Sequence, residues 1–423
     1  MNAFWVAGGL LTMAAGVTCM GAELAPRTAG LLRAGQEEVR VVGFGDSITG
    51  VYYHTGGYGA WPELLERALR QEYPQAKVRV FNAGISGNTT AAALARMPKD
   101  VLDRKPHLVV AMFGMNDLAY GAVDAAKDAA RKQLYRDNLV KIVEGCRQAG
   151  AEVLLMTPNN VYPEAAPARP PARLAEFAAI MRETSAALGV AVVDAFAEYE
   201  RIRQEDVRRW RRMMSETIHP SVPGHQLFAE LAAGAVCGHP VALKGVVPTQ
   251  PSLQHTSAAL KAGGPVTVIV ADTLQETVCQ ALREAAPTAQ ITAVPWPVQG
   301  QSLASIEAWS KGIRQKAGRV LVVGSFSPAA VVCGANEEAF VRQAAWVACY
   351  ALAFGRRDWD VVFVAPSVAA PEALTPEQRA GAALVQGMVE AHDLLWLDPA
   401  GTDPAARLAA LLDWFRKELA ASR

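Results

Sequence analysis

The chain has 423 residues, roughly twice the span of one compact domain. Its 41 Lys+Arg balance 41 Asp+Glu, so no basic excess exists to hold a polyanion, which argues against nucleic acid as a partner. With 51% hydrophobic and 19% charged residues, the chain is too apolar for intrinsic disorder and carries enough material for two cores.

Residues 3–18 (AFWVAGGLLTMAAGVT) come first, without a charge, and Met20-Gly21-Ala22 follow. The run is shorter than the ~20 residues of a spanning helix and fits the apolar part of a secretory signal. A signal peptide over 1–22 and a secreted or periplasmic location are therefore expected, with an uncleaved anchor as the alternative. The other apolar runs are broken by Gly, Pro or charge, so no further membrane contact is expected.

Residues 38–44 (EVRVVGF) read as a buried strand, and 61–72 as a helix with Leu64, Leu65, Ala68 and Leu69 on one face. Tyr73-Pro74 closes that helix. Further strands are expected at 78–82, 107–113, 151–157 and 190–194. Between them, Leu134, Leu139, Ile142, Val143 and Cys146 mark one helix face, and Leu174, Phe177, Ile180 and Met181 another. Near-continuous apolar strands alternating with helices imply an α/β fold with a doubly wound, five-stranded parallel sheet covered on both faces. Ligands of such sheets bind beyond the carboxyl ends of the strands.

Polar residues cluster at those ends. The first strand runs into Gly45-Asp46-Ser47, the second into Asn82-Ala83-Gly84-Ile85-Ser86-Gly87-Asn88-Thr89, and the third into Gly114-Met115-Asn116-Asp117. Downstream lie Glu216-Thr217-Ile218-His219-Pro220 and Pro223-Gly224-His225. These four blocks, in this order over residues 38–236, resemble those of the GDSL-type esterases, also called SGNH hydrolases, whose fold is a flavodoxin-like α/β/α sandwich. The resemblance implies Ser47 as nucleophile and His219 as its base. It also implies an oxyanion hole from the N–H groups of Ser47 and Gly87 and the Asn116 amide. Asp46, Gly84, Gly114 and Asp117 are expected to support the loops, Gly84 by a turn. The family places Asp three residues before the histidine. Glu216 stands there instead, and either Glu216 or a backbone carbonyl could hold the imidazole. His225 reads as structural and Trp61 as core. Tyr52, Tyr53, His54 and Tyr58, with Gly56, Gly57 and Gly59, form a loop that either shapes a pocket or stays open.

Six cysteines (Cys19, Cys146, Cys237, Cys279, Cys333 and Cys349) show no metal-knuckle or CxxC spacing and assign no disulfide. Cys146 and Cys349 read as small buried hydrophobes. No metal and no cofactor is expected, because neither a metal-ligand cluster nor a nucleotide-binding glycine loop is present.

Residues 241–264 read as a linker, separating a first domain over 36–240 from a second over 265–423. Strand–helix alternation then restarts. Residues 281–302 lie on 68–89 without gaps, and six of these 22 positions are identical, including Gly87/Gly300. VTVIVA before Asp272-Thr273, VLVVGSF, WDVVFVAP and LLWLD follow in the order of the first half's strands. A diverged internal duplication is expected. Thr273 stands where Ser47 stood and Asp403 where His219 stood, so the second copy is expected to be non-catalytic. A dimer surface, a glycan-binding module and a scaffold over the active site remain open as its roles.

The expected activity is that of an exported serine esterase acting on small acyl groups, such as acetate on carbohydrate. A lipase, lysophospholipase or thioesterase is the alternative among enzymes. A non-catalytic glycan-binding protein is the alternative outside them.

Overall fold

The computed structural model describes residues 22–421 apart from 56, 58, 119–123, 164–168, 248–250, 317, 353–357 and 371. The expected signal peptide, save Ala22, lies outside the described residues. Strands β1 (Glu38–Gly45), β2 (Lys77–Gly84), β3 (Leu108–Met112), β4 (Glu152–Met156) and β5 (Ala191–Val193) form one sheet in the order β2-β1-β3-β4-β5. Every neighbouring pair in it is parallel. The central strand β3 (LVVAM) is buried at all its positions, as its unbroken apolar run requires when helices cover both faces. The chain leaves β1 toward β2 on one side and reaches β3 on the other. This reversal opens a crevice at the carboxyl ends of β1 and β3, where ligands of such sheets bind.

A second sheet comprises β6 (Val266–Ala271), β7 (Ile291–Trp296), β8 (Arg319–Ser325), β9 (Asp360–Val364) and β10 (Leu395–Leu397). Its order is β7-β6-β8-β9-β10, that of the first sheet strand for strand, and it too is wholly parallel. Each sheet has its own apolar core.

The helix Trp61–Glu72 buries Trp61, Leu64, Leu65, Ala68 and Leu69 as its pattern demands. The helix Ala125–Gln148 departs from the pattern at one position. Its buried face is Tyr135, Asn138, Leu139, Ile142, Val143 and Cys146, while Leu134 is 51% exposed. At 100° per residue that face centres near Tyr135 and Cys146, and Leu134 lies about 100° round from Tyr135, beyond its edge.

Among the short helices that the sequence pattern did not mark, two precede the first strand of a sheet. One, Pro26–Ala34, precedes β1; the other, Gln254–Ala262, precedes β6 and occupies part of the stretch expected as a linker. Both use the same anchor. Glu152, first in β4, accepts the N–H groups of Arg27 (3.0 Å) and Thr28 (2.7 Å) and the Thr28 hydroxyl (2.6 Å). Asp360, first in β9, accepts the N–H groups of His255 (3.2 Å) and Thr256 (2.7 Å) and the Thr256 hydroxyl (2.6 Å). A carboxylate at a helix N-terminus satisfies donors that have no intrahelical partner.

Candidate active site

Strand β1 delivers Asp46 and Ser47 to the crevice. Gly45 must be glycine, since a Cβ there would lie 2.0 Å from Thr49 Oγ1. Asp46 Oδ1 accepts the Ile48 N–H at 2.9 Å and tightens the turn. Burial raises the Asp46 pKa to about 6, against the opposing pull of that N–H. Ser47 Oγ lies 2.8 Å from Nε2 of His219, 172 residues away in the chain.

His219 sits on a small closed loop. Met214 bridges to Pro220, and the Ser215 N–H donates to the His219 carbonyl at 2.9 Å. Glu216 folds back over this loop. Its Oε1 accepts the His219 backbone N–H at 2.8 Å and contacts Nδ1 of the ring. Its Oε2 accepts the Thr217 hydroxyl (2.9 Å) and the Ile218 N–H (3.2 Å). A carboxylate only accepts, so Nδ1 carries the ring proton and Nε2 is left to accept from Ser47. Burial pushes the Glu216 pKa up, but the charge of His219 and these hydrogen bonds outweigh it and hold the carboxyl below its ordinary value.

Across the crevice, Gly87 adopts φ +76°, a left-handed conformation that favours glycine, and nothing lies within 4 Å of where its Cβ would be. Gly300, its counterpart by alignment, has φ +70° and the same open space. Among the described residues, the N–H groups of Ser47 and Gly87 donate to no backbone carbonyl. Asn116, beyond β3, donates through Nδ2 to the Asn88 carbonyl (3.1 Å) and Asp46 Oδ2 (3.2 Å). Asp117 accepts the Thr90 N–H at 2.8 Å and so ties this loop to the one after β2. Gly114 takes φ +124° beneath the Tyr135 hydroxyl. Gly84 serves close packing rather than a left-handed turn: a Cβ there would lie 2.2 Å from the Gly50 nitrogen.

The profile of the GDSL-like lipase/acylhydrolase family matches residues 44–227. An acetylxylan esterase of Geobacillus stearothermophilus is 30% identical over 179 residues, which span 41% of this chain and 77% of that protein. The chain belongs to this family. A Bacillus subtilis protein described as uncharacterized lipoprotein YqeF is 39% identical over 134 residues, 31% of this chain and 51% of that one. The chain thus spans about half the length of that relative. The crystal structure of the lipase/acylhydrolase from Enterococcus faecalis is 26% identical with a TM-score of 0.39, covering 47% of this chain and 96% of that one.

Around these GDSL-family blocks stand residues that no motif marked. Arg169 is buried and donates to Asn116 Oδ1 (2.9 Å) and the Met115 carbonyl (3.0 Å), which fixes which end of the amide is the donor. Arg96 donates to Asn88 Oδ1 (2.7 Å) and the Gly45 carbonyl (2.8 Å). Asn159, beyond β4, donates to the Ile218 carbonyl at 2.8 Å and ties that loop to the His219 loop. Within the aromatic loop, Tyr52 accepts the Ser86 N–H at 3.0 Å, while Gly56 and Tyr58 lie outside the described residues. His54 is buried, its ring stacked on His219 with centroids 4.6 Å apart. His225 is buried as well; its Nδ1 accepts the Trp61 N–H (3.3 Å), so its Nε2–H donates to His54 Nδ1 (3.0 Å). Burial, with the charge of His219, lowers the His225 pKa to about 3. Burial likewise holds His54 well below its ordinary value. Both rings are therefore neutral beside the base.

Proposed function

We propose that the protein is an exported carboxylic ester hydrolase that removes small acyl groups, acetate foremost, from carbohydrate. The observation that carries this reading is the Ser47 hydroxyl 2.8 Å from His219 Nε2, with Glu216 on the other ring nitrogen. A serine hydroxyl becomes a useful nucleophile when a base takes its proton in the attack. Ser47 Oγ attacks the ester carbonyl while its proton passes to Nε2. Glu216 holds the ring and balances the imidazolium. The tetrahedral oxyanion is met by the N–H groups of Ser47 and Gly87 and by the Asn116 amide, one hydrogen of which turns to it from Asp46 or Asn88. His219 then protonates the leaving alcohol, and water, activated by the same base, releases the acid. Glu216 takes the place of the family's usual aspartate, its extra methylene absorbed by folding back onto the His219 and Ile218 N–H groups.

The acetyl-carbohydrate reading is supported by the acetylxylan esterase relative, and export by the apolar N-terminal run together with a relative described as a lipoprotein. No helix among the described residues is long and apolar enough to cross a membrane. For the C-terminal half, the same strand order, the same helix anchor and the shared left-handed glycine support a diverged second copy. Thr273 is exposed there, and Asp403 is an exposed helix cap whose Oδ1 accepts the Ala406 N–H at 2.9 Å, so no imidazole stands at the position equivalent to His219.

A fluorophosphonate probe tests the chemistry. It should label Ser47 in the folded chain and not a Ser47→Ala variant; a folded wild-type chain that resists labelling would point to a binding protein. A series of p-nitrophenyl esters tests the acyl group. Rates should fall with chain length, and a preference for eight carbons or more would favour a lipase or thioesterase.

A further inference from the structure

The Glu216–His219 loop is held from behind by the other half of the chain. Ser215, fully buried, is the residue next to Glu216, and its N–H already fixes the His219 carbonyl. Its hydroxyl lies 3.1 Å from Nε2 of His392 and 3.2 Å from Sγ of Cys349. Both partners are fully buried and belong to the C-terminal half. The protons in this cluster follow from its acceptors. His392 Nδ1 lies 2.7 Å from the Met388 carbonyl, which only accepts, so Nδ1 carries the hydrogen. Nε2 of the neutral ring then accepts from the Ser215 hydroxyl. The Cys349 thiol lies 3.4 Å from the same Nε2 and 3.7 Å from the Ser215 carbonyl, both of which can accept its hydrogen. Burial keeps the imidazole neutral and the thiol protonated, consistent with this pattern.

The segment leading into the loop is clamped as well. Arg208 pairs with Glu337 at 2.7 and 3.0 Å, and Arg211 reaches the same carboxylate at 2.7 Å. Glu337 opens the helix Glu337–Ala351 that carries Cys349, and His392 follows directly on the helix Pro376–Ala391. Two helices of the C-terminal half thus converge on one serine. A buried hydroxyl in contact with a histidine and a cysteine is not what apolar packing between two domains produces. Polar groups are retained at such a point when they specify one arrangement.

We propose that the C-terminal half is a positioning device for the triad: His392 and Cys349 hold Ser215, and Ser215 holds Glu216 and His219 in register with Ser47. This rests on the ester hydrolase reading above and gives the non-catalytic half a definite task. His392 and Ser215 are positioning residues, since neither faces the crevice chemistry directly. A misplacement of about 1 Å at a catalytic group can cost 10²-fold in rate, so a loosened loop should be visible in turnover.

The test uses the full chain with p-nitrophenyl acetate. His392→Ala and Ser215→Ala should each lower kcat about tenfold or more while KM stays within about twofold. The double variant should be no slower than the slower single one, because both remove the same contact. The downfield proton resonance of the His219 Nδ1–H shared with Glu216 should broaden or shift in each variant, a change that a loss of stability alone does not cause in folded protein. Should His392→Ala not fold, Ser215→Ala decides, as it removes one hydroxyl and leaves the second core intact. Wild-type kcat and an unmoved resonance in folded Ser215→Ala would overturn the proposal. Absence of turnover and labelling in the wild-type chain would instead overturn the esterase reading.

Discussion

Replacing Glu216 by glutamine tests the triad with almost no change in shape. The carboxylate meets four donors with two oxygens: the His219 backbone N–H at 2.8 Å and the ring Nδ1–H on one side, the Thr217 hydroxyl at 2.9 Å and the Ile218 N–H at 3.2 Å on the other. A carboxamide offers one oxygen and one NH2 group. If its oxygen faces Thr217 and Ile218, the NH2 faces His219 and drives the ring proton to Nε2, where it blocks acceptance from Ser47. If its oxygen faces His219, the NH2 meets the Ile218 N–H. The corresponding acid-to-amide change in a serine protease lowers kcat by about 10⁴, or about 5.5 kcal/mol of barrier. Glu216→Gln should therefore lose about 10³–10⁴ in kcat, since one of the two amide orientations spares the tautomer at the expense of the loop. Glu216→Ala should lose at least about tenfold, as the orientation of the ring and the charge that balances the imidazolium are both given up. Glu216→Asp should fall between wild type and Ala, because its carboxylate is one methylene, about 1.5 Å, short of Nδ1. Steady-state hydrolysis of p-nitrophenyl acetate, with circular dichroism to confirm folding, measures all three. Turnover within threefold of wild type for folded Glu216→Ala would assign the orienting role to another acceptor and refute this reasoning.

Removing the Asn116 amide as Asn116→Ala should cut kcat by about 10²–10³ with little change in KM, the usual effect of losing one oxyanion donor. Arg169→Met, which frees the far end of that amide, should give a smaller loss in the same direction; an unchanged kcat would mean the loop holds Asn116 without it. Gly84→Ala forces a Cβ to 2.2 Å from the Gly50 nitrogen and should destabilise the fold by about 3 kcal/mol or more in urea titrations. Gly150→Ala, at φ +83° with open space, should lose only the left-handed backbone penalty of about 1–2 kcal/mol, and equal losses at the two sites would contradict the steric argument. His225 has a pKa near 3 in the fold against 6.5 outside it, so its contribution to stability is complete above pH 6.5 and drains as the pH falls toward 3. Glutamine can supply the same acceptor to Trp61 and donor to His54 but does not titrate. His225→Gln should therefore flatten the stability–pH curve over that window by up to one proton, about 1.4 kcal/mol per pH unit, and identical slopes would rule out His225 as the titrating group.

Most strands were legible because they are nearly unbroken apolar runs, and the candidate site residues because they stand at the ends of those strands. Ser47, Gly87 and Asn116 could be located by order alone, and His219 by its place before the last helix of the first half. The helices Pro26–Ala34 and Gln254–Ala262 were not legible, because each has nine residues and is anchored by a carboxylate more than 100 positions away. Leu134 is apolar but stands about 100° round from Tyr135, off the buried face, and apolarity alone does not record that angle.

What the sequence by itself determined is the chemistry available: a hydroxyl, an imidazole, a carboxyl and an amide on the loops of a parallel α/β sheet. What only the tertiary structure decided is how they are held. Arg169 chose the end of Asn116 that donates, and His54 and His225 closed the far side of His219. His392 and Cys349 reached across from the other half to Ser215. Each of these depends on contacts between residues about 50 to 180 positions apart, and no local spacing records them. Periodicity reports which face of an element is buried, whereas catalytic geometry depends on which buried faces meet.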